Sequence, residues 1–242
     1  MEQNVYNYYQ YKKSKSKKNN HFTSIFLSIV ILLSAIVYIK PKQSNLITMH
    51  YVEINNFQTY LEAKNLSQEL MEFNCSPYVY FDGKYHVLLS YYSSKTDAEK
   101  VVSNLKNNYS SVCVFSIEFA NFIEQKNLSK EQNLAVKNFI NQSFKTIELL
   151  EKCLLAYSKK DESLAKIKTK ILDNEKILRS AVDDLIQQFK TNSKYNIAKE
   201  CAQTIIQSYS EIGNFESNTF ENNLRYQIVN ISINLLKFKS LF

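Results

Sequence analysis

The sequence predicts an α+β chain in three parts: a transmembrane helix, a βαββαβ domain and an antiparallel α-helical bundle. Three observations carry that prediction. An uncharged run of eighteen residues lies near the N-terminus, a strand–helix pattern recurs after 35 residues, and from Ala120 onward the apolar spacing is helical throughout. The chain of 242 residues, 45% apolar and 22% charged, is long and apolar enough to bury a core. Its two glycines, Gly83 and Gly213, exclude a glycine phosphate loop, which needs several.

Residues 1–20 read as a basic tail, with Lys12, Lys13, Lys15, Lys17 and Lys18 against Glu2. Residues 21–40 read as the anchor. Within them Phe22 to Ile39 runs FTSIFLSIVILLSAIVYI without a charge, and as a helix it spans about 27 Å of a ~30 Å hydrocarbon core. Thr23, Ser24, Ser28 and Ser34 can bond back to the helix carbonyls, so they do not oppose insertion. A cleaved signal peptide is the competing reading, but Leu33 two places before Ala35 makes a poor cleavage site. Five lysines before the span outweigh Lys40 and Lys42 after it, which places the N-terminus in the cytoplasm and the bulk of the chain outside. The formal charge of +7 is then mainly a topology signal, not the footprint of a nucleic-acid binder.

After a linker at 41–48, residues 49–119 hold the repeat. Val52, Ile54, Phe57, Thr59, Glu62, Ala63, Leu66, Leu70 and Val79 recur as Val87, Leu89, Tyr92, Ser94, Asp97, Ala98, Val101, Leu105 and Val114. Each copy opens on a period-two strand, HYVEINNF or YHVLLSYY. Each continues into a helix with a capping signal, Thr59 with Glu62 and Ser94 with Asp97. Asp82-Gly83 between two strand patterns marks a hairpin turn. The order is a split βαββαβ, a ferredoxin-like layout. Alternation turns Val52, Ile54, Val79, Phe81, Val87, Leu89 and Val114 toward the two helices. It turns Tyr51, Glu53, Tyr78, Tyr80, His86, Leu88, Cys113 and Phe115 the other way. Two fates are open to that second face: cover by the C-terminal helices, or use as a tyrosine platform for flat ligands.

The stretches YVEINNFQTYLEAKNLSQEL and YHVLLSYYSSKTDAEKVVSNL resemble the SPOR domain, a peptidoglycan-binding module of bacterial cell-division and sporulation proteins. The resemblance covers about 70 residues. It implies binding of peptidoglycan glycan strands across the sheet, with Tyr51, Glu53, Tyr80, His86 and Leu88 at the matching positions. Asn55 and Ser90 stand where the family ends its strands in glycine, and Glu53 and Leu88 where it carries a glutamine and an often basic residue.

Residues 120–242 read as four amphipathic helices. Ser129 with Gln132 caps the first, whose stripe holds Val136, Ile140, Ile147, Leu150, Leu154 and Tyr157. Asp161 opens the second, with Leu164, Ile167, Ile171, Leu178, Val182, Leu185 and Phe189 in a narrow, heptad-like row. The third runs from about Ser193 to Ser210 and stops near Gly213, expected in a left-handed terminus. Asn218 with Glu221 caps the last, which buries Leu224, Ile228, Leu235 and Phe238. Short loops favour an internal bundle, while the heptad-like row also allows pairing with another chain or a second copy.

No catalytic set stands out. Glu148/Glu151 and Asp183/Asp184 sit among lysines on faces expected to be wet, and His21, His50 and His86 lack a nucleophile or metal-ligand spacing. Cys75 and Cys113 fall on opposite sheet edges, while Cys153 and Cys201 fall on separate helices that can meet. The leading expectation is a single-pass, non-catalytic membrane protein without cofactor or metal, binding wall glycan at the septum in division or sporulation. The competing one is an anchored scaffold with a vestigial SPOR-like fold, whose C-terminal helices recruit a protein partner.

Overall fold

A computed structural model describes residues 47–73 and 75–242; the expected tail at 1–20, the expected anchor at 21–40 and most of the expected linker lie outside the described residues. No helix among the described residues is long and apolar enough to cross a membrane. The described chain is α+β, with four strands and six α-helices. β1 (Ile47–Phe57), α1 (Tyr60–Glu72), β2 (Tyr78–Phe81), β3 (Tyr85–Tyr92), α2 (Lys95–Leu105) and β4 (Cys113–Phe119) come first. They are followed by α3 (Lys130–Ser158), α4 (Leu164–Gln188), a 3₁₀ turn at Ser193–Tyr195, α5 (Asn196–Ile212) and α6 (Phe220–Lys239).

The strands form one sheet in the order β2-β3-β1-β4, and every neighbouring pair is antiparallel. The caps form as the repeat predicts: the Thr59 hydroxyl accepts from the Glu62 N–H, and Ser94 from the Asp97 N–H. Gly83 takes φ +117° in the hairpin turn, a region that L side chains rarely enter. Pairing of β1 with β3 shifts twice, between Val52 and Glu53 and between Glu53 and Asn55. Asn55 and Ser90 border those shifts without a positive φ, so neither position demands glycine.

One face of the sheet packs on α1 and α2 through Val52, Ile54, Ala63, Leu70, Val87, Ala98, Val102 and Val112. Phe81 departs from the expected alternation. It is 56% exposed at the strand end, with its ring 4.6 Å from that of Tyr85.

The helices of the second half run antiparallel to their chain neighbours. Gln132 donates to the Gln188 carbonyl and Gln142 to Asn174, which fixes α3 against α4. Asn230 donating to Ser208 and Gln227 to Glu211 does the same for α5 and α6. The heptad-like row of α4 (Ile167, Ile171, Leu178, Val182, Leu185) is buried inside the chain, so it is spent on the internal bundle rather than on a partner.

Three helix termini differ from expectation. Lys160 turns left-handed at φ 59° after α3, which places Asp161 in the turn and makes Ser163 the cap of α4. Gly213 is right-handed at φ −58° rather than left-handed. The last helix starts behind Thr219 with no side-chain cap bond, so Asn218 does not cap it.

Candidate functional site

Alternation alone brings Tyr51, Glu53, Tyr80, His86 and Leu88 to one sheet face, and the structure keeps them together there. That face is closed. Tyr51 and Leu88 are 0% exposed, and Glu53 and His86 are buried; Tyr80 alone is half-buried. The expected glycan-binding positions therefore lie on a covered face, and the physical reason is α6. Only Lys237 of its twenty residues is exposed, because the helix lies between the sheet and the rest of the bundle.

Tyr51 shows how tight the seal is. Its hydroxyl donates to Ser232 Oγ on α6 at 3.0 Å, and Ser232 in turn donates to the Val229 carbonyl. Tyr91 meets the Tyr51 ring edge-on at 5.7 Å, and Tyr78 packs against Tyr226 of α6 at 5.6 Å. Burial pushes the Tyr51 phenol far up from its usual range, against the lowering bond from Ser232. Burial also raises Tyr91, helped by Glu151 and Glu148, and lifts Tyr78 to about 12 with Tyr226 contributing. Each of these phenols is therefore held neutral as part of the core.

The polar end of the face is a cluster around His86. Nδ1 lies 2.9 Å from Glu53 Oε2 and Nε2 lies 2.7 Å from Asp82 Oδ1. Asn56 Nδ2 donates to the other Glu53 oxygen at 2.7 Å. The imidazole stacks on Phe115 at 4.4 Å, with Tyr80 at 6.0 Å on the ring. A neutral imidazole has one N–H, so two such contacts require a second proton, on the ring or on a carboxyl. Asp82 joins β2 to β3, and Glu53 sits on β1, so the cluster ties the hairpin turn to the central strand.

The cluster has no nucleophile to activate. Cys113 stands opposite Glu53 across β1 and β4, but burial and then the Glu53 charge push its thiol up, away from the reactive thiolate. Among the described residues no group of three or more His, Cys, Asp or Glu is arranged to hold a metal ion. The four cysteines are free thiols. Where β3 ends against α3, a cavity of about 410 Å³ is lined by Tyr91, Tyr92, Leu155, Glu151 and Arg225. Two of its charged groups already have partners: Glu151 accepts from the Ser93 N–H at 2.9 Å, and Arg225 binds Glu221 at 2.7 Å.

Asp82 and the α6 residues Tyr226 and Ser232 belong to this constellation, and the sequence pattern does not reveal them. Asp82 reads only as a turn former. Ser232 lies 181 residues from its partner. The nearest signal was the unusual polarity of α6, where Gln227, Ser232 and Asn234 are all buried.

No family model, no curated protein and no solved structure matches the chain.

Proposed function

We propose that this protein is a membrane-anchored, non-catalytic scaffold: a SPOR-like, ferredoxin-like module turned inward, with the helical half as the surface that recruits a protein partner. One observation carries this reading, the Tyr51–Ser232 seal that places α6 across the tyrosine-rich sheet face. The element order β-α-β-β-α-β with strand order β2-β3-β1-β4 supports the split βαββαβ layout of the module. The uncharged run at 22–39 with its lysine flank supports the anchor. A glycan strand cannot stack on Tyr51 or Leu88 while α6 covers them, so glycan binding would demand that the helix leave. Apolar side chains exposed on the helical half, Leu155 at 54%, Leu172 at 51% and Ile197 at 60%, offer contact points for a partner.

Two measurements on the full chain test the reading. Detergent-solubilised protein should show no enrichment on amidase-stripped wall sacculi. A fluorescent fusion should lose its cellular position on changing Leu155, Leu172 and Ile197 to Ser, and keep it with Tyr80→Ala. Enrichment on the sacculi that Tyr80→Ala abolishes would overturn the scaffold in favour of the glycan binder.

A further inference from the structure

The outer groove between α3 and α4 carries a cavity of about 830 Å³, and its lining is lopsided in charge. Lys145 and Lys176 line it together with the 57%-exposed Ile177, Ser180, Ala181 and Asp184. On α4, Lys176, Ser180 and Asp184 follow one another at intervals of four, so they share a face of the helix. The cation and the anion stand equally far from Ser180, on either side of it.

That symmetry is the argument. When a helix packs antiparallel on its own copy about a two-fold axis, residues equidistant from the axis face each other across the contact. With the axis at Ser180, Lys176 of each copy meets Asp184 of the other, twice over. Ser180 and Ala181 are small, so the backbones can approach closely at the centre. Lys145 reinforces the positive end. The existing neighbour of Lys176, Asp173, lies 3.7 Å away with both side chains more than two-thirds exposed, a pair too wet to hold the lysine.

We infer that the α3/α4 groove is a self-docking surface, in which α4 of a second copy lies antiparallel with its two-fold axis at Ser180. This rests on the scaffold reading, of which it names one partner, and it uses the wet face of α4 rather than the buried heptad-like row. Anchoring in a common membrane would raise the local concentration of copies and favour such a contact.

The test is disulfide cross-linking of the full chain with Cys75 and Cys113 replaced by Ser. Ser180→Cys should give a covalent dimer under mild oxidation. Thr169→Cys, equally exposed, should not, because eleven residues from the axis place its mate about 33 Å away. Lys176→Glu or Asp184→Lys alone should slow the Ser180→Cys cross-link about tenfold, since each turns two attractions into repulsions. The two changes together should restore the rate. Absence of the Ser180→Cys dimer, an equal dimer from Thr169→Cys, or a double variant as slow as the singles would overturn the proposal. None of those results touches the loss of cellular position that tests the scaffold, so the two readings fail separately.

Discussion

The two faces of the sheet are closed by different means, and the contrast explains what each can do. The face toward α1 and α2 is covered by helices that lie between its own strands, and its core is aliphatic: Val52, Ile54, Val87 and Val102 with alanines at the helix contacts. The other face is covered by α6, more than a hundred residues further along the chain, and it mixes Leu88 and Met49 with phenol hydroxyls and the His86 cluster. A dry aliphatic layer needs only area, which is non-directional. A face carrying hydroxyls and a buried imidazole must also find a partner for each polar atom, because an unpaired buried group costs on the order of 1–3 kcal/mol. The second face is thus the more specific of the two, and the more easily broken by one substitution.

The largest effect should come from the polar end. His86→Ala leaves Glu53 buried with Asn56 as its remaining side-chain partner and should cost about 3–5 kcal/mol, read from the urea midpoint. An effect below that of a surface substitution would show that the cluster is ornamental. Leu88→Ala should cost about 2–5 kcal/mol and shift the loss of sheet and helix signals together. Two separate transitions would show that α6 closes the face only loosely.

Alkaline titration separates the faces next, since the phenols that burial raises, Tyr51, Tyr78 and Tyr91, lie on the α6 side. Burial raises Tyr78 from 10.0 to about 12, so the folded state keeps a proton that the unfolded chain releases first. Stability from this group is full below pH 10 and is lost as pH rises from 10 to 12, by on the order of 2 kcal/mol. Tyr78→Phe should make the fall of the urea midpoint over that window shallower by one phenol's share, with Tyr51 and Tyr91 supplying the rest. The smallest effect belongs to Tyr51→Phe, which removes one buried hydrogen bond and should cost about 1 kcal/mol. Hydrogen exchange of the Ser232 region should quicken, while that of α1 stays unchanged.

What was legible in the sequence is what local chemistry decides. Thr59 and Ser94 cap their helices because the cap bond spans three residues, and Asp82-Gly83 turns because Gly83 tolerates φ +117°. The 35-residue repeat also gave the sheet faces, since period two is a property of the strand itself. The fate of the tyrosine face was not legible. It depends on Tyr51 meeting Ser232 across 181 residues, and α6 conceals its buried position behind Gln227, Asn230 and Asn234. Those side chains read as a wet face, but they bond to Glu211, Ser208 and the α6 backbone. Gly213 misled in the opposite sense, because a glycine permits a left-handed terminus without requiring one.

The distance along the chain between the sheet and its cover also sets a clock. Some 120 residues separate Phe119 at the end of β4 from Lys239 at the end of α6. At about 5–20 residues per second, ribosomes need about 6–24 s to make them. For that interval each newborn copy displays Tyr51, Tyr78, Leu88 and Tyr91 on a sheet that has nothing yet to lie against.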